Sequence, residues 1–419
     1  MRLISIGSST LLASLVFAAT APAATISPTG IRFPELAVNA DGATIVAWER
    51  RTRNAFTFDV RTGDSPSTLG RTIRFAARAY RPKIAIGADG TRAIMWFEDE
   101  GARGGVVRIA VARPGHGFGR PRVLERRRGR TATVGVAVQP TGRVVAIWVR
   151  GSSRIAYALA PRDRAFGAAR ELTFKSPSSG ESIAVDPRDG AVVITYGAPL
   201  SIANLANQQA AARTLTTTAT AFSEPAALSD PAGLAQAFPV AVSGAGGVGV
   251  AYSRFADVNE LWLVRRTATG AWSVPQRIGT PAYGADRAAV SPIATLPTDG
   301  SALASWSVVH DPDGRGAVSS QTVATLAQPG AAFGVPQALT PADGKYGTRA
   351  IASAGTEAFL ATATPHGPLL LSTRPAGGGA LVTRTVTTNG DGDAVLAAAG
   401  RHVLLAYQQR DRLRLHIVR

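Results

Sequence analysis

One pattern recurs along the whole chain of 419 residues, and it limits the fold more than any other feature. Each copy has an apolar segment, a tight turn that usually contains glycine, and a second apolar segment ending in an aromatic residue. In the first copy these parts are residues 33–38, the turn Asp41-Gly42 and residues 43–48. The closing aromatic residues are Trp48, Trp96, Trp148, Tyr196, Tyr252 and Trp306. Their spacings of 48, 52, 48, 56 and 54 residues are typical of four-stranded β-propeller blades.

Two more degenerate copies, at residues 350–362 and 394–407, bring the number of repeats to eight. The last repeat stops after its third expected strand, residues 413–418, while residues 24–28 precede the first repeat without a partner. An open ring would expose unpaired strand edges. The sequence therefore predicts an all-β propeller of eight four-stranded antiparallel blades, closed by the N-terminal strand, with seven blades as the alternative.

The closing aromatic residues are predicted to lie in the core, because a single binding site would not require one in every blade. The Asp-Gly and Thr-Gly turns favour hairpins with positive φ. A second cue, an aromatic residue followed by Gly or Ser, marks the expected fourth strand of several blades. It occurs at Phe118, Phe166, Phe222, Trp272 and Phe333.

Residues 1–23 have the pattern of a secretory signal peptide, with Arg2, an apolar stretch at residues 11–19 and Ala21-Pro22-Ala23 at its end. The apolar stretch is shorter than the roughly 20 residues of a membrane-spanning helix. Residues 24–419 are then a single propeller domain. The chain has no cysteine, which excludes disulfides, thiolate metal sites and a lipid anchor on an N-terminal cysteine. We expect a secreted or extracytoplasmic protein without a transmembrane segment in the mature chain.

The charge balance favours anionic partners. Lys and Arg number 45 against 28 Asp and Glu, a net charge of +17, and only Lys83, Lys175 and Lys345 are lysines. Such an excess attracts acidic polysaccharides or other envelope polymers. The sequence has no recognition helix, zinc-finger spacing or aromatic RNA-binding strand, so specific nucleic-acid binding is not expected.

A propeller places the loops between strands two and three, and between strand four and the next blade, on one face. Charged residues near these loops are the candidate ligand-binding residues. They are Arg32, Glu49, Arg50, Arg51, Glu98, Asp99, Glu100, Arg254, His310, Asp311 and Asp313. Carboxylates from different blades could form an acid and base pair, as glycoside hydrolysis requires. The other interpretation is that these residues belong to solvated turns.

Two acidic spacings contain the oxygen ligands that Ca²⁺ prefers, Asp311-x-Asp313-Gly314 and Asn389-x-Asp391-x-Asp393. Neither has the central glycine and distal glutamate of an EF-hand loop, and both are interpreted as turns. The five histidines have no paired metal-ligand spacing, and neither a nucleophile elbow nor a P-loop is present. We expect no metal and no cofactor.

Residues 31–38 and 47–51 resemble the opening of sialidases, in which an Arg-x-Pro motif begins the first blade. The segment Trp272-Ser273-Val274-Pro275 is similar to the end of the Asp box repeated in that superfamily. The resemblance implies a sialidase-like propeller fold in which Arg32 would grip a substrate carboxylate. Sialidases have six blades, and no segment here carries the full Ser-x-Asp-x-Gly-x-Thr-Trp box. The other residues of a sialidase site match no motif of this chain.

Three functions remain open on these grounds. The leading hypothesis is an exported, non-enzymatic propeller that binds a ligand or partner on one face, such as an anionic glycan or an envelope component. The second is a sialidase-like glycoside hydrolase. The third is a structural scaffold that binds a protein partner.

Overall fold

The computed structural model describes residues 23–27, 29–51, 56–77, 79–100, 104–127, 133–150, 154–173, 182–201, 204–230, 239–255, 259–279, 287–310, 319–341 and 348–419. Within these ranges the regular elements are all strands, and there is no apolar helix of membrane-spanning length. Residues 1–22, nearly all of the predicted signal peptide, lie outside the described residues.

The strands form eight four-stranded antiparallel sheets, the blades. Strand β1 (Ala24–Thr25) belongs to the last of them. Blade 1 has β2 (Ile31–Val38), β3 (Thr44–Arg51), β4 (Phe56–Gly63) and β5 (Ile73–Ala77). Blade 2 has β6 (Ala79–Ile86), β7 (Arg92–Asp99), β8 (Gly105–Ala112) and β9 (Arg122–Arg127). Blade 3 has β10 (Val134–Val138), β11 (Val144–Arg150), β12 (Arg154–Ala160) and β13 (Arg170–Thr173). Blade 4 has β14 (Ser182–Val185), β15 (Val192–Ser201), β16 (Asn204–Leu215) and β17 (Ala226–Ala227).

The second half of the ring continues the same order. Blade 5 has β18 (Val240–Gly244), β19 (Gly247–Phe255), β20 (Asn259–Arg265) and β21 (Gln276–Gly279). Blade 6 has β22 (Arg287–Thr295), β23 (Ala302–His310), β24 (Ser319–Ala327) and β25 (Gln337–Ala338). Blade 7 has β26 (Thr348–Ala354), β27 (Glu357–Ala363), β28 (Pro365–Arg374) and β29 (Val382–Asp391). Blade 8 has β30 (Ala394–Ala399), β31 (His402–Gln409), β32 (Arg412–Ile417) and, outermost, β1.

The blades form a closed ring around a central channel. The first strand of each blade contacts the first strand of the next one, and β30 of blade 8 contacts β2 of blade 1. The prediction of eight blades is therefore confirmed, and the alternative of seven is wrong.

The N-terminal strand closes blade 8, as the sequence predicts. Ala24 pairs with Leu415 in an antiparallel register, and the Ile26 N–H donates to the Leu413 carbonyl over 2.9 Å. The Leu413 N–H in turn donates to the Ser27 hydroxyl oxygen over 2.7 Å. The side chain of Ile26 is buried, and the outermost edge of the last blade is thus covered by the other end of the chain.

The hydrophobic core lies between the blades. Eight clusters of buried apolar residues are present, and each joins two neighbouring blades. The six closing aromatic residues are at most 3% exposed. Trp48, for example, lies in the cluster between blades 8 and 1, together with Leu404 and Leu415. The prediction that these residues belong to the core is confirmed.

The turns between first and second strands lie together on one side of the ring, which we name the turn face. Gly42 has φ +88°, as predicted for the Asp-Gly turn. A Cβ atom at Gly42 would also come within 2.9 Å of the His402 ring in blade 8. Glycine is therefore required twice at this position, for its backbone conformation and for the close approach of the neighbouring blade.

Candidate functional site

The side of the ring opposite the turn face is where each first strand begins and each second strand ends, and we name it the mouth face. The channel wall differs between the two sides. Towards the turn face it surrounds a cavity of about 590 Å³ whose lining contains no charged side chain. Towards the mouth face, a cavity of about 320 Å³ is lined by Glu35 and Lys83 together with Thr133 and Ser182. Charged groups therefore mark the mouth end of the channel.

Arg32 lies on a β-bulge of the innermost strand. It pairs with Glu49, and Glu35 pairs with Ala47, so that two residues, Phe33 and Pro34, take the single position opposite Trp48. Proline has no N–H to give to a strand ladder, and a bulge accommodates this loss.

The same bulge recurs in two other blades. Arg81 and Pro82 take the position opposite Trp96, and Ser291 and Pro292 take the position opposite Trp306. The Arg-x-Pro pattern that carries the resemblance to sialidases thus belongs to a repeated feature of this fold, the place where a first strand bends past the buried tryptophan.

The bulge of blade 1 presents an aromatic side chain to solvent. Phe33 is 44% exposed. The residues that flank the pair Arg32-Phe33, Ile31 before it and Pro34 after it, are buried. Its φ is +48°, a region that bulky residues rarely adopt. Such strain costs on the order of 1–3 kcal/mol and is concentrated at functional sites. Arg32, the preceding residue, is also exposed.

Asp393 lies beside this bulge, in the connection between blades 7 and 8. It is half-buried, and its carboxylate accepts a hydrogen bond from the Phe33 N–H over 3.4 Å. Burial raises the pKa of Asp393, and the bond from Phe33 and the positive charge of Arg32 oppose this rise only in part. The arrangement places a carboxyl group that retains its proton more readily than usual next to an exposed arginine and an exposed aromatic ring.

Glu35 and Lys83 form an ion pair across the first strands of blades 1 and 2. Neither residue was among the site residues predicted from the sequence. Two signals could have found it. The residues follow a proline at the same repeat position, 48 residues apart, and Lys83 is one of three lysines in a chain that otherwise uses arginine.

The predicted acidic residues of blade 2 are engaged within their own blade. Glu98 accepts a bond from the Arg108 Nε over 2.6 Å, and Glu100 accepts one from Arg126 over 3.2 Å. Asp99 is the last residue of β7, so this segment is the end of a strand. Neutralisation by neighbouring arginines favours a structural role for Glu98 and Glu100.

The predicted cluster of blade 1 also lies within a strand, since β3 continues to Arg51. Glu49 is only 2% exposed, Arg50 is half-buried and Arg51 is exposed. Exposure therefore increases along this segment, and Arg51, its last residue, is the one that is exposed.

The remaining candidates are distributed over blades 5 and 6. Arg254 is half-buried in β19. His310 ends β23, and its side chain lies outside the described residues, as do Asp311 and Asp313.

The acidic residues near the blade 7 to blade 8 connection bind backbone groups. Asp391 accepts the Asp411 N–H over 2.8 Å, whereas Asp393 accepts that of Phe33. In the described part of the chain, no group of three or more His, Cys, Asp or Glu residues could hold a metal ion. The interpretation of this segment as a turn is wrong for Asn389 to Asp391, which are the last residues of β29; only Gly392 and Asp393 form the connection to β30.

Comparison with known proteins adds information on the fold. No family model and no curated protein matches the sequence. Among solved structures, the chain is similar to an ulvan lyase of polysaccharide lyase family PL25 bound to -[GlcA(1-4)Rha3S]-, with 12% identity, a TM-score of 0.52, and coverage of 80% of this chain and 90% of that one. It is also similar to the polysaccharide lyase Uly1, with 8% identity, a TM-score of 0.54, and coverage of 80% and 89%.

A third similar structure is the Hadza microbial sialidase Hz136, with 9% identity, a TM-score of 0.40, and coverage of 94% of both chains. At these identities the similarities concern the fold alone. The propeller fold expected from the sequence is confirmed by the eight blades.

Proposed function

We propose that this protein is an exported, non-enzymatic propeller that binds an anionic glycan on its mouth face, at the bulge of blade 1. The observation that carries the proposal is Phe33, which is held exposed at a strained φ beside Arg32. A ligand that packs against the ring would bury the apolar surface that the bulge leaves exposed.

The chemistry of the two side chains favours an acidic sugar. An exposed aromatic ring offers a broad apolar surface on which the C–H face of a sugar can pack. The guanidinium of Arg32 can bind a carboxylate or sulfate through two parallel hydrogen bonds. Lys83 adds a second cation at the same end of the channel, where Glu35 holds it.

Two further observations support this proposal. The net charge of +17 attracts anionic polymers from a distance. The two lyases of similar fold are polysaccharide lyases by name, and one of them is bound to -[GlcA(1-4)Rha3S]-. Export is supported by the signal-peptide pattern of residues 1–23.

The test is binding of residues 24–419 to an array of acidic and neutral glycans at low and at physiological salt. We expect selective binding of acidic glycans that persists at the higher salt. Arg32→Ala and Phe33→Ala should each weaken it about tenfold or more, because a charge-assisted hydrogen bond or a buried aromatic contact contributes about 1.5–3 kcal/mol.

Arg71→Ala is the matched control, since it removes an exposed arginine of blade 1 that lies away from the bulge, in the segment between β4 and β5. It should leave selective binding within about twofold of the wild type. Signal that fades with salt, or that Arg71→Ala reduces as much as Arg32→Ala does, would show attraction by charge alone. No binding to any glycan would favour the scaffold hypothesis instead.

A glycan-cleaving enzyme is the second candidate, and Asp393 is the observation that favours it. A carboxyl group with a raised pKa can act as a general acid, and the Arg32 side chain beside it could hold an acid sugar. Incubation of the bound glycans with the protein, followed by chromatography of the products, decides between the two candidates. Shorter products that disappear with Asp393→Asn would establish catalysis, and intact glycans would support a binding protein.

A further inference from the structure

A groove of about 370 Å³ lies on the outer rim, on the turn face between blades 3 and 4. Its lining contains three arginines, Arg143, Arg164 and Arg170, and no acidic residue. The rest of the lining is uncharged, with Tyr157 at its base and small residues along its edge. The groove is far from the bulge of blade 1 in the blade order and opens on the opposite face, so it is independent of the function proposed above.

Arg143 anchors the groove, and among the described residues no acidic side chain forms an ion pair with it. Its Nη1 donates to the Ala219 carbonyl over 2.6 Å, and its Nη2 donates to the Thr216 carbonyl over 2.5 Å. Its Nε donates to the Gln139 side chain, which is itself fixed to blade 4 by a bond to the Gly190 carbonyl. All these acceptors are neutral, and burial lowers the pKa of Arg143. A partly buried cation without a counter-ion is costly unless an anion binds it.

Arg164 and Arg170 are exposed at the edge of the groove. Arg170 is positioned by a hydrogen bond from its Nη1 to the Thr220 carbonyl over 2.8 Å. Asp163, the neighbour of Arg164, is not part of the lining; it lies 3.9 Å from the Nε of Arg113 in blade 2 and 3.7 Å from that of Arg162. This aspartate is therefore directed to other arginines and does not neutralise the three that line the groove.

The repeats differ from one another at one residue that lines the groove. One position follows the aromatic residue and the Gly or Ser that mark the fourth strand. Its occupants in blades 2 to 6 are Arg120, Ala168, Glu224, Val274 and Val335. Blade 3 has the smallest side chain of the five, next to Gly167, and both residues line the groove.

We propose that this rim groove binds a tetrahedral oxyanion, a sulfate or phosphate group, through Arg143, Arg164 and Arg170. Three guanidinium groups from one strand and two turns supply more donors than a planar carboxylate can accept, whereas a tetrahedral anion offers oxygens in several directions. The carbonyl contacts of Arg143 hold its guanidinium in place before the anion arrives, which lowers the entropic cost of binding.

The test is a calorimetric titration of residues 24–419 with sodium sulfate and with sodium phosphate, at an ionic strength held constant with sodium chloride. A second titration uses a sulfated oligosaccharide and its desulfated form. Arg164→Ala and Arg170→Ala should each weaken binding of the anion about tenfold, in line with the loss of a charge-assisted hydrogen bond. Arg143 is not the first choice, because its loss would also release the blade 4 loop.

Ala168→Glu is the variant that tests most directly whether the groove binds an anion. It introduces the residue that blade 4 carries at this position and should abolish binding by placing a carboxylate in the groove. Ala168→Gln, of the same size without the charge, and Arg120→Ala, an exposed arginine of blade 2 outside the groove, should both stay within about twofold of wild type. Tm is measured for every variant to show that it is folded.

Two results support the proposal and identify the source of the anion. Binding of the free ions indicates a site for sulfate or phosphate itself, and binding of the sulfated but not the desulfated sugar indicates an ester on a polymer. Three results overturn it. They are no binding of any probe, equal loss with Arg120→Ala and Arg164→Ala, and equal loss with Ala168→Gln and Ala168→Glu.

Discussion

At the scale of single residues, the bulge of blade 1 combines two features that oppose folding. Phe33 has an unfavourable φ, and Asp393 is a carboxylate whose pKa burial raises. In the folded state at pH 7 the ionised carboxylate is therefore less stable than it would be in water. The positive φ recurs at Ser291, which has the same bulge position in blade 6 with φ +54°, so it belongs to the bulge itself. The residue that distinguishes blade 1 is the aromatic one, because the same position holds Arg81 in blade 2 and Ser291 in blade 6.

Asp393→Asn should therefore raise the Tm at pH 7. Because the pKa of Asp393 is higher in the folded than in the unfolded state, its charge destabilises the protein above the folded pKa. Below the pKa of an unfolded aspartate, about 3.9, both states are protonated and the penalty disappears. The Asn side chain keeps an oxygen that can accept the Phe33 N–H. Thermal unfolding of both forms between pH 3 and pH 7 measures the difference.

The gain should be greatest at neutral pH and shrink as the pH falls. A Tm of the variant that equals the wild-type value at pH 7, or a difference that grows towards low pH, would contradict this account. Asp163→Asn serves as a control, since Asp163 is an exposed aspartate and its replacement should leave the Tm nearly unchanged.

The residue scale also shows which parts of the site the sequence can predict. Trp48 and its counterparts could be assigned to the core because an aromatic residue recurs at this position in six blades, as packing between blades requires and a single binding site does not. The contact between Phe33 and Asp393 joins residues 360 positions apart and exists only because the ring closes between blades 8 and 1. No local pattern contains such a contact. The exposure of Phe33 likewise follows from a bulge, which adds one residue to a strand without a marker beyond Pro34.

At the scale of strands, the fold depends on one very short element. Strand β1 has two residues, and with Ile26 and Ser27 it covers the edge of β32. The outermost strands of blades 4 and 6 also have two residues each, so their exposed edges are short. Short edges limit pairing with other molecules.

A chain that begins at residue 29 should lose about 3–5 kcal/mol of unfolding free energy relative to one that begins at residue 23. The loss combines the burial of Ile26, about 2 kcal/mol, with the backbone bonds to Leu413 and Leu415, about 1 kcal/mol each. The exposed edge of β32 should also promote aggregation. Urea unfolding and light scattering of the two chains measure both effects.

Ser27→Ala separates the contributions of this segment. It removes the acceptor of the Leu413 N–H, a buried bond, and should cost about 1–3 kcal/mol while Ile26 stays in place. If the chain that begins at residue 29 were as stable and as monodisperse as the longer one, the N-terminal strand would have no part in closing the ring.

Strand order and ring closure could be predicted at this scale because a propeller repeats one unit and penalises open edges. The residues at which strands end were harder to predict from the sequence. The residues Glu49 to Arg51 were predicted to lie in a loop because they are charged, but β3 includes them, and Glu49 is buried. Charged residues are most often found in exposed loops, and a prediction from residue type follows that average. Glu49 departs from it because it lies within the sheet, opposite Arg32 of the neighbouring strand.

At the scale of the whole molecule, the described residues give no blade a core of its own. Every cluster of buried apolar residues is shared by two neighbours, so a single blade that separates from the ring exposes two of them. The eight blades should therefore unfold together, in spite of the repetitive sequence.

Trp306→Ala should destabilise the entire ring rather than blade 6 alone. Removing a large core side chain costs about 3–5 kcal/mol. The side chain packs in the cluster between blades 5 and 6, and its loss should lower the Tm while the transition stays single. Circular dichroism and tryptophan fluorescence should give coincident unfolding curves for both proteins.

Val335→Ala is the matched control in the same blade, because Val335 is 92% exposed and belongs to no cluster. It should leave the Tm unchanged. Two separate transitions in Trp306→Ala, with blades 5 and 6 melting first, would show that the interfaces between blades are independent.

The closure of blade 8 by both ends of the chain also sets the time at which the ring can form. Blades 1 to 7 can assemble in order as the chain emerges, but β1 has no partner until β32, at residues 412–417, has appeared. Until then the faces of blades 1 and 7 that meet blade 8 stay uncovered. The appearance of β32 thus allows β1 to pair and converts an open arc of blades into a ring.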